Sequence, residues 1–320
     1  MSSMTRLKIV VPATTANLGP GFDILGMSLN LYNEFRFEFP DLSEPACCLH
    51  DGSPVPFSKS EDLVWQSYSN YFQLFLKGEK VKPYECKMRL AIPLKSGLGS
   101  SATAVVAGFC LGREVHKVYY KNIKLPSEKE FLRALAKEEG HPDNTIPAYL
   151  GGWVLSYFIQ EDNFYFLKKK FPKNISCFLF LPSLEISTNE SRAKLPKQYS
   201  TEDVIFNMSR ISTWVEFMSS KNYADLRLCV EDRIHTPQRI GQINSLSDFS
   251  NLAKSFQFAH TLSGSGPSLL VFVPKKLLNT VFQKFQTKLA ETMKHNGISY
   301  QLLEVKPEEK GTKISSKILR

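Results

Sequence analysis

Residues 93–103 read PLKSGLGSSAT, two glycines and three serines set between an alternating strand pattern, YECKMRLAIP (84–93), and a run over 100–118 with the small apolar composition of a buried helix. Gly97-Leu98-Gly99-Ser100-Ser101-Ala102 satisfies the dinucleotide pattern G-x-G-x-x-A, and it sits between strand and helix as that motif requires. Two observations oppose a dinucleotide site. The pattern does not lie in an opening βαβ unit, and the acidic residue expected about twenty positions later is replaced by HKVYYKNIK. A P-loop also fails, because no lysine follows the glycines. The physics of phosphate binding survives both failures. Glycines let backbone close in on an anion, and a helix N-terminus aims unpaired N–H groups at it. A plain serine-capped turn remains the competing reading, and this segment alone does not separate the two.

A chain of 320 residues buries a large core and usually forms two domains. A hydrophobic share of 42% and a charged share of 22% are those of a globular protein. No apolar run reaches the roughly 18–20 residues of a membrane span. The opening MSSMTRLKIVVPA enters a strand without an apolar export core, so a cytoplasmic protein with no membrane partner is expected. The net charge of +9 comes from scattered bases not interleaved with aromatics, which argues against nucleic acid. Cys47, Cys48, Cys86, Cys110, Cys177 and Cys229 show no C-x-x-C spacing, so reduced, mostly buried thiols are expected. The six histidines have no zinc-site spacing either.

Along the chain, 5–13 and 32–40 read as strands around a turn-rich segment, TTANLGPGFDILG. A helix is expected after a Ser60 cap, and another after a Ser127/Glu130 capping box, ending at Gly140. Short strands follow from 153 to 182. Helical patterns cover 201–219, 222–239, 246–257 and 275–294, with strands at 268–273 and in SYQLLEV at the end. Strands and helices mix without regular βα alternation, so α+β is favoured, with a domain boundary near 155.

Three further segments decide the glycine loop: VPATTANLGPGFDILGMSLNLYNEF at the start, KEEGHPDNTIPAYLGGW in the middle and HTLSGSGPSLLVF near the end. With GLGSSA, they resemble the signature motifs of the GHMP small-molecule kinases, in order and over essentially the whole chain. The likeness to the branch acting on L-homoserine is close. The resemblance implies a two-domain α+β fold, with an ATP-binding domain over 1–155 that holds a left-handed β-α-β unit. The C-terminal domain, 156–320, would be ferredoxin-like. It implies ATP and Mg²⁺ as cofactors, L-homoserine as the acceptor and O-phospho-L-homoserine as product, with a homodimer as the common assembly of relatives. Another small alcohol such as mevalonate or a sugar is the alternative acceptor.

The same resemblance assigns residues. Pro93, Leu94, Lys95, Ser96, Gly97, Leu98, Gly99, Ser100, Ser101, Ala102 and Thr103 would cradle the ATP phosphates. Ser101 and Glu139 would hold the metal, with Glu138 as the alternative to Glu139. Asn17, Asp23, His141, Asn144, Thr188, Arg192, Arg239 and Gly264 would line the amino-acid pocket. Of these, Asp23 would take the ammonium, the arginines the carboxylate and Asn144 the hydroxyl, so Asn144, Asp23 and His141 stand nearest the chemistry. Gln238 occupies a place where the family has an aromatic, which leaves Arg233 as a second candidate for Arg239. Asp143 and Asp23 are the candidate bases, but a mechanism that positions its reactants without a base is expected.

Overall fold

The computed structural model describes residues 3–160, 163–186, 188–241 and 243–319. Two long strands, β1 (Ser3–Ala16) and β2 (Leu25–Glu38), pair antiparallel from Arg6↔Glu38 to Ala16↔Gly26. Both exceed the strands expected at 5–13 and 32–40, and the intervening turn shrinks to residues 17–24. β3 (Ala46–Leu49), α1 (Leu63–Phe75) and β4 (Glu85–Leu90) form a strand–helix–strand unit with parallel strands. The α1 cap is Asp62, not Ser60. Asp62 Oδ1 accepts from the Val64 and Trp65 N–H groups at 3.0 and 3.1 Å, while Ser58 and Glu61 cap a single 3₁₀ turn before it.

α2 (Ser100–Tyr119), α3 (Glu128–Glu138) and α4 (Pro142–Leu150) follow, then the hairpin of β5 (Trp153–Gln160) and β6 (Asn163–Lys169). The capping box of α3 is the expected one: Ser127 Oγ accepts from Glu130 N–H, and the Ser127 N–H donates to the Glu130 carboxylate. Apolar side chains of α1, α2 and α3, among them Tyr68, Phe72, Phe109 and Phe131, close over Ile9, Val11, Phe35 and Phe37 of the sheet.

The second sheet starts with β7 (Ile175–Pro182), a buried apolar run. Five helices follow: α5 (Thr188–Ala193), α6 (Thr201–Ser220), α7 (Tyr223–Cys229), α8 (Thr236–Ile240) and α9 (Asn244–Ser255). The continuous pattern over 222–239 is broken in two because the Asp232 carboxylate gathers the N–H groups of Ile234, His235 and Thr236 into a turn. β8 (Ala259–Leu262), β9 (Leu269–Pro274), α10 (Gln283–His295) and β10 (Tyr300–Val305) complete an antiparallel sheet in the order β10-β7-β9-β8. That order, with helices between β7 and β8 and between β9 and β10, is the ferredoxin-like arrangement. The helix expected over 275–294 opens instead with a 3₁₀ turn and a π turn, and α10 proper begins at Gln283.

The chain does not end at β10. β11 (Lys313–Leu319) returns to pair with β1, so the first sheet also takes in β5, β6 and β11. Residue 155 falls inside β5, and the second sheet is inserted between β6 and β11. A shared core joins the two units, with Leu18, Met27 and Trp153 packed with Trp214, Phe217 and Phe272. Among the described residues no helix is long and apolar enough to cross a membrane. All six cysteines are free thiols, four of them buried.

Candidate active site

Three turns converge where the two units meet: 17–23 after β1, 93–99 after β4 and 263–268 between β8 and β9. The 93–99 turn delivers the chain into α2 through Gly99, whose φ of +66° is the left-handed conformation that glycine tolerates best. Among the described residues no side chain caps α2 and its first turn carries no acid of its own, so the positive end of the helix is left open to an anion. Gly97, at φ +76°, approaches so closely that a Cβ there would stand 2.2 Å from the Ser263 carbonyl oxygen. Serines of the 263–268 turn complete the contact. Ser263 Oγ donates to Gly97 O at 2.7 Å, and Ser268 Oγ to Ser96 O at 2.6 Å. At the rim, Lys95 meets Glu185 at 3.3 Å, and Leu94 is exposed.

Glu139 closes α3 and turns back to the first turn of α2, where Ser101 Oγ donates to its Oε1 at 3.2 Å. Its Oε2 is buried without a partner among the described residues. Burial above all, with Asp143 nearby, pushes the carboxyl up to about 7, against the pull of His141. Glu138 points elsewhere, accepting from Asn70 Nδ2 at 2.7 Å. A hydroxyl beside a carboxylate with an oxygen left bare fits a hard, oxygen-preferring cation such as Mg²⁺.

His141 precedes α4 as its N-cap, and Pro142 begins the helix, where a missing N–H costs nothing. His141 Nδ1 lies 2.8 Å from Asp143 Oδ1. Burial pulls the imidazole down, but the hydrogen bond and charge of Asp143 outweigh it and hold His141 at about 9. Asn144 Oδ1 accepts from Thr14 Oγ1 at 2.7 Å, which leaves its amide N–H groups to donate into the cleft.

The opposite wall carries charge. Arg192 makes a two-pronged pair with Asp23, at 3.0 and 2.8 Å. Arg239 is only 5% exposed, yet no carboxylate pairs with it among the described residues. Its Nη1 donates to Gly264 O at 3.1 Å and to His235 Nδ1 at 3.2 Å, and its Nε has no partner. Because His235 Nδ1 accepts there, its Nε2 carries the hydrogen and donates to Gly19 O at 2.7 Å. Burial keeps that ring neutral by lowering its affinity for a second proton. Asn17 Nδ2 also reaches Gly264 O, at 3.0 Å, and its Oδ1 accepts the Asp23 N–H.

The structure therefore brings Asn17, Asp23, His141, Asn144, Arg192, Arg239 and Gly264 around one cleft, with Ser101 and Glu139 at the end beside α2. The Thr188 side chain lies outside the described residues. Arg233 is turned outward, against Glu202 and Asp203, so it takes no part in the cleft. Sequence reasoning missed Thr14, Asn33, His235 and the serine pair Ser263 and Ser268. Asn33 bonds Ser100 and Thr103 through Nδ2 and the Ile92 N–H through Oδ1, which fixes the end of β4 to the start of α2. A polar residue at an inward position of an alternating strand was the available signal.

The GHMP kinases N terminal domain family model matches residues 62–152. Homoserine kinase of Aquifex aeolicus is 34% identical over 97% of this chain and 100% of its own length. Homoserine kinase of Clostridium beijerinckii is 33% identical over 96% and 98%. The crystal structure of homoserine kinase from Cytophaga hutchinsonii superposes with a TM-score of 0.78 at 24% identity, over 98% of this chain and 99% of that one, which shows the shared fold. With identity of this degree running nearly end to end, the chain belongs to the homoserine kinase family, within the GHMP kinases.

Proposed function

We propose that the chain transfers the terminal phosphoryl group of ATP to the side-chain hydroxyl of L-homoserine, releasing ADP and O-phospho-L-homoserine. One observation carries this reading: an uncapped helix N-terminus faces, across one cleft, a buried guanidinium that lacks a counter-ion. The first suits a polyphosphate, the second a carboxylate.

The turn from Pro93 to Thr103 would hold the phosphates through backbone N–H groups between Leu94 and Ala102, since Pro93 has none and that of Thr103 donates to Gly99 O. Ser101 and Glu139 would hold Mg²⁺, which supplies neutralising charge to the phosphates when bound. The carboxylate of the acceptor goes to Arg239 and Arg192, its ammonium to Asp23, and its hydroxyl to the free amide of Asn144. The ligand-free Asp23–Arg192 pair is thus exchanged for two new pairs, which only a zwitterion can supply together. His141, held cationic by Asp143, has no lone pair to take a proton at neutral pH. In a loose transition state the hydroxyl needs little prior deprotonation, and its proton passes to a phosphoryl oxygen as the new O–P bond forms. Positioning does the work.

Coupled ADP release with L-homoserine as the only acceptor tests this. Turnover should require both the amino acid and Mg²⁺, with mevalonate and galactose inert. Turnover with either of those and none with homoserine would overturn the assignment.

A further inference from the structure

Phe22 stands where the two arginines meet. The Arg192 guanidinium carbon lies 5.1 Å from its ring centre and that of Arg239 5.4 Å, while the His235 ring packs at 5.3 Å. Two cations directed at one small anion repel each other in its absence. Burial, and after it the charge of Arg192, draws Arg239 below the usual arginine range. Asp23 pairs directly with Arg192, whereas on Arg239 it acts only through space, as Asp232 and Asp143 do. Arg239 has no such partner, and its placement rests on neutral groups: Gly264 O, His235 Nδ1 and the face of Phe22. An aromatic face attracts a cation through its quadrupole and adds no net charge to compete for the acceptor.

The ring is itself held from both sides of the cleft. The Gly21 and Asp23 N–H groups bond to Asn17 O and Oδ1, each at 3.0 Å. From the second unit, Trp214 Nε1 donates to Leu18 O at 3.0 Å, as His235 Nε2 does to Gly19 O. The loop that carries Phe22 cannot drift without breaking these bonds.

We infer that Phe22 is a positioning residue for acceptor specificity: its ring holds Arg192 and Arg239 as a single carboxylate-binding fork, and so restricts turnover to small alcohols that carry a carboxylate. This rests on the reading of the two arginines as partners of the acceptor carboxylate. A carboxylate placed between guanidiniums fixed on one ring meets both at once, with no side-chain ordering left to oppose binding. An acceptor without a carboxylate leaves two neighbouring cations unneutralised.

Steady-state kinetics of Phe22→Leu, Phe22→Tyr and Arg239→Met, with L-homoserine and its decarboxylated analogue 3-amino-1-propanol, test the role. Phe22→Leu should raise KM for homoserine about tenfold, with kcat and KM for ATP nearly unchanged. The preference for homoserine over the amino alcohol should fall by a similar factor, and Phe22→Tyr should restore both. Should Phe22→Leu lower Tm, Phe22→Met, unbranched and more adaptable in packing, replaces it. An unchanged KM for homoserine in Phe22→Leu, where Arg239→Met raises it, overturns the role of Phe22. An unchanged KM in Arg239→Met as well overturns the fork itself, and with it the assignment of the arginines.

Discussion

The two walls of the cleft are built on different principles. The wall proposed to hold phosphate is main chain: a helix N-terminus, two glycines at positive φ and serine hydroxyls that tie one turn to another. The wall proposed to hold the acceptor is side-chain charge, gathered from positions as far apart in sequence as Asp23 and Arg192. The first depends on conformation and is indifferent to most side chains. The second depends on which charges meet, and several backbones could present them.

Gly97→Ala should expose that contrast most strongly. Its Cβ has no room against Ser263 O, so the 93–99 turn must move away from the 263–268 turn. A displacement of about an ångström costs on the order of a hundredfold in rate, so kcat/KM for ATP should fall at least that far although no functional side chain is removed. Full activity in that variant would break the main-chain account of the phosphate wall. Asp143→Asn probes a charge proposed to support the site without reacting. Without the carboxylate, burial prevails and the His141 pKa falls, so activity at pH 7 should drop about tenfold and recover as pH is lowered. A loss of four decades or more in kcat with an intact fold would instead make Asp143 a base.

The smallest effect lies outside both walls. His260 sits between Ser250 Oγ and Phe258 O, and burial lowers it to about 4. Between about pH 6.5 and 4 the unfolded chain binds a proton that the folded chain refuses, so stability falls as pH drops through that window, by up to about 3 kcal/mol. Urea unfolding at pH 7, 6 and 5 should show the native chain losing stability relative to His260→Gln as pH falls, because groups such as Glu139 titrate alike in both, with kcat unchanged at pH 7. Equal slopes in the two proteins would refute it.

The contrast also explains what could be read from the sequence. Glycine and capping chemistry is local, so the 93–103 turn and the Ser127/Glu130 box were legible from a few residues. The α7–α8 break was harder, because the helical period carries on through it. Only Asp232 and Pro237 marked the change, and a turn anchored by one carboxylate has no periodicity to detect. α4 was hidden by Pro142 and Pro147, which read as punctuation. β11, KISSKIL, is mostly exposed and polar, and nothing local says that it crosses back to β1. On the acceptor wall, the family resemblance pointed to the arginines, but the partners that orient them come from tertiary approach. Phe22 shows this: beside Asp23 it reads as an ordinary turn aromatic until two guanidiniums are found against it.

The return of β11 bears on how the cleft can open. The polypeptide passes between the sheets twice, at 170–174 and again at 306–312. The second passage is pinned to the first unit by the bonds from Asn30 N to Lys306 O, Glu308 N to Ser28 O and Thr312 N to Tyr149 O. Two such attachments suppress sliding and twisting, and leave bending about the line that joins them as the soft mode.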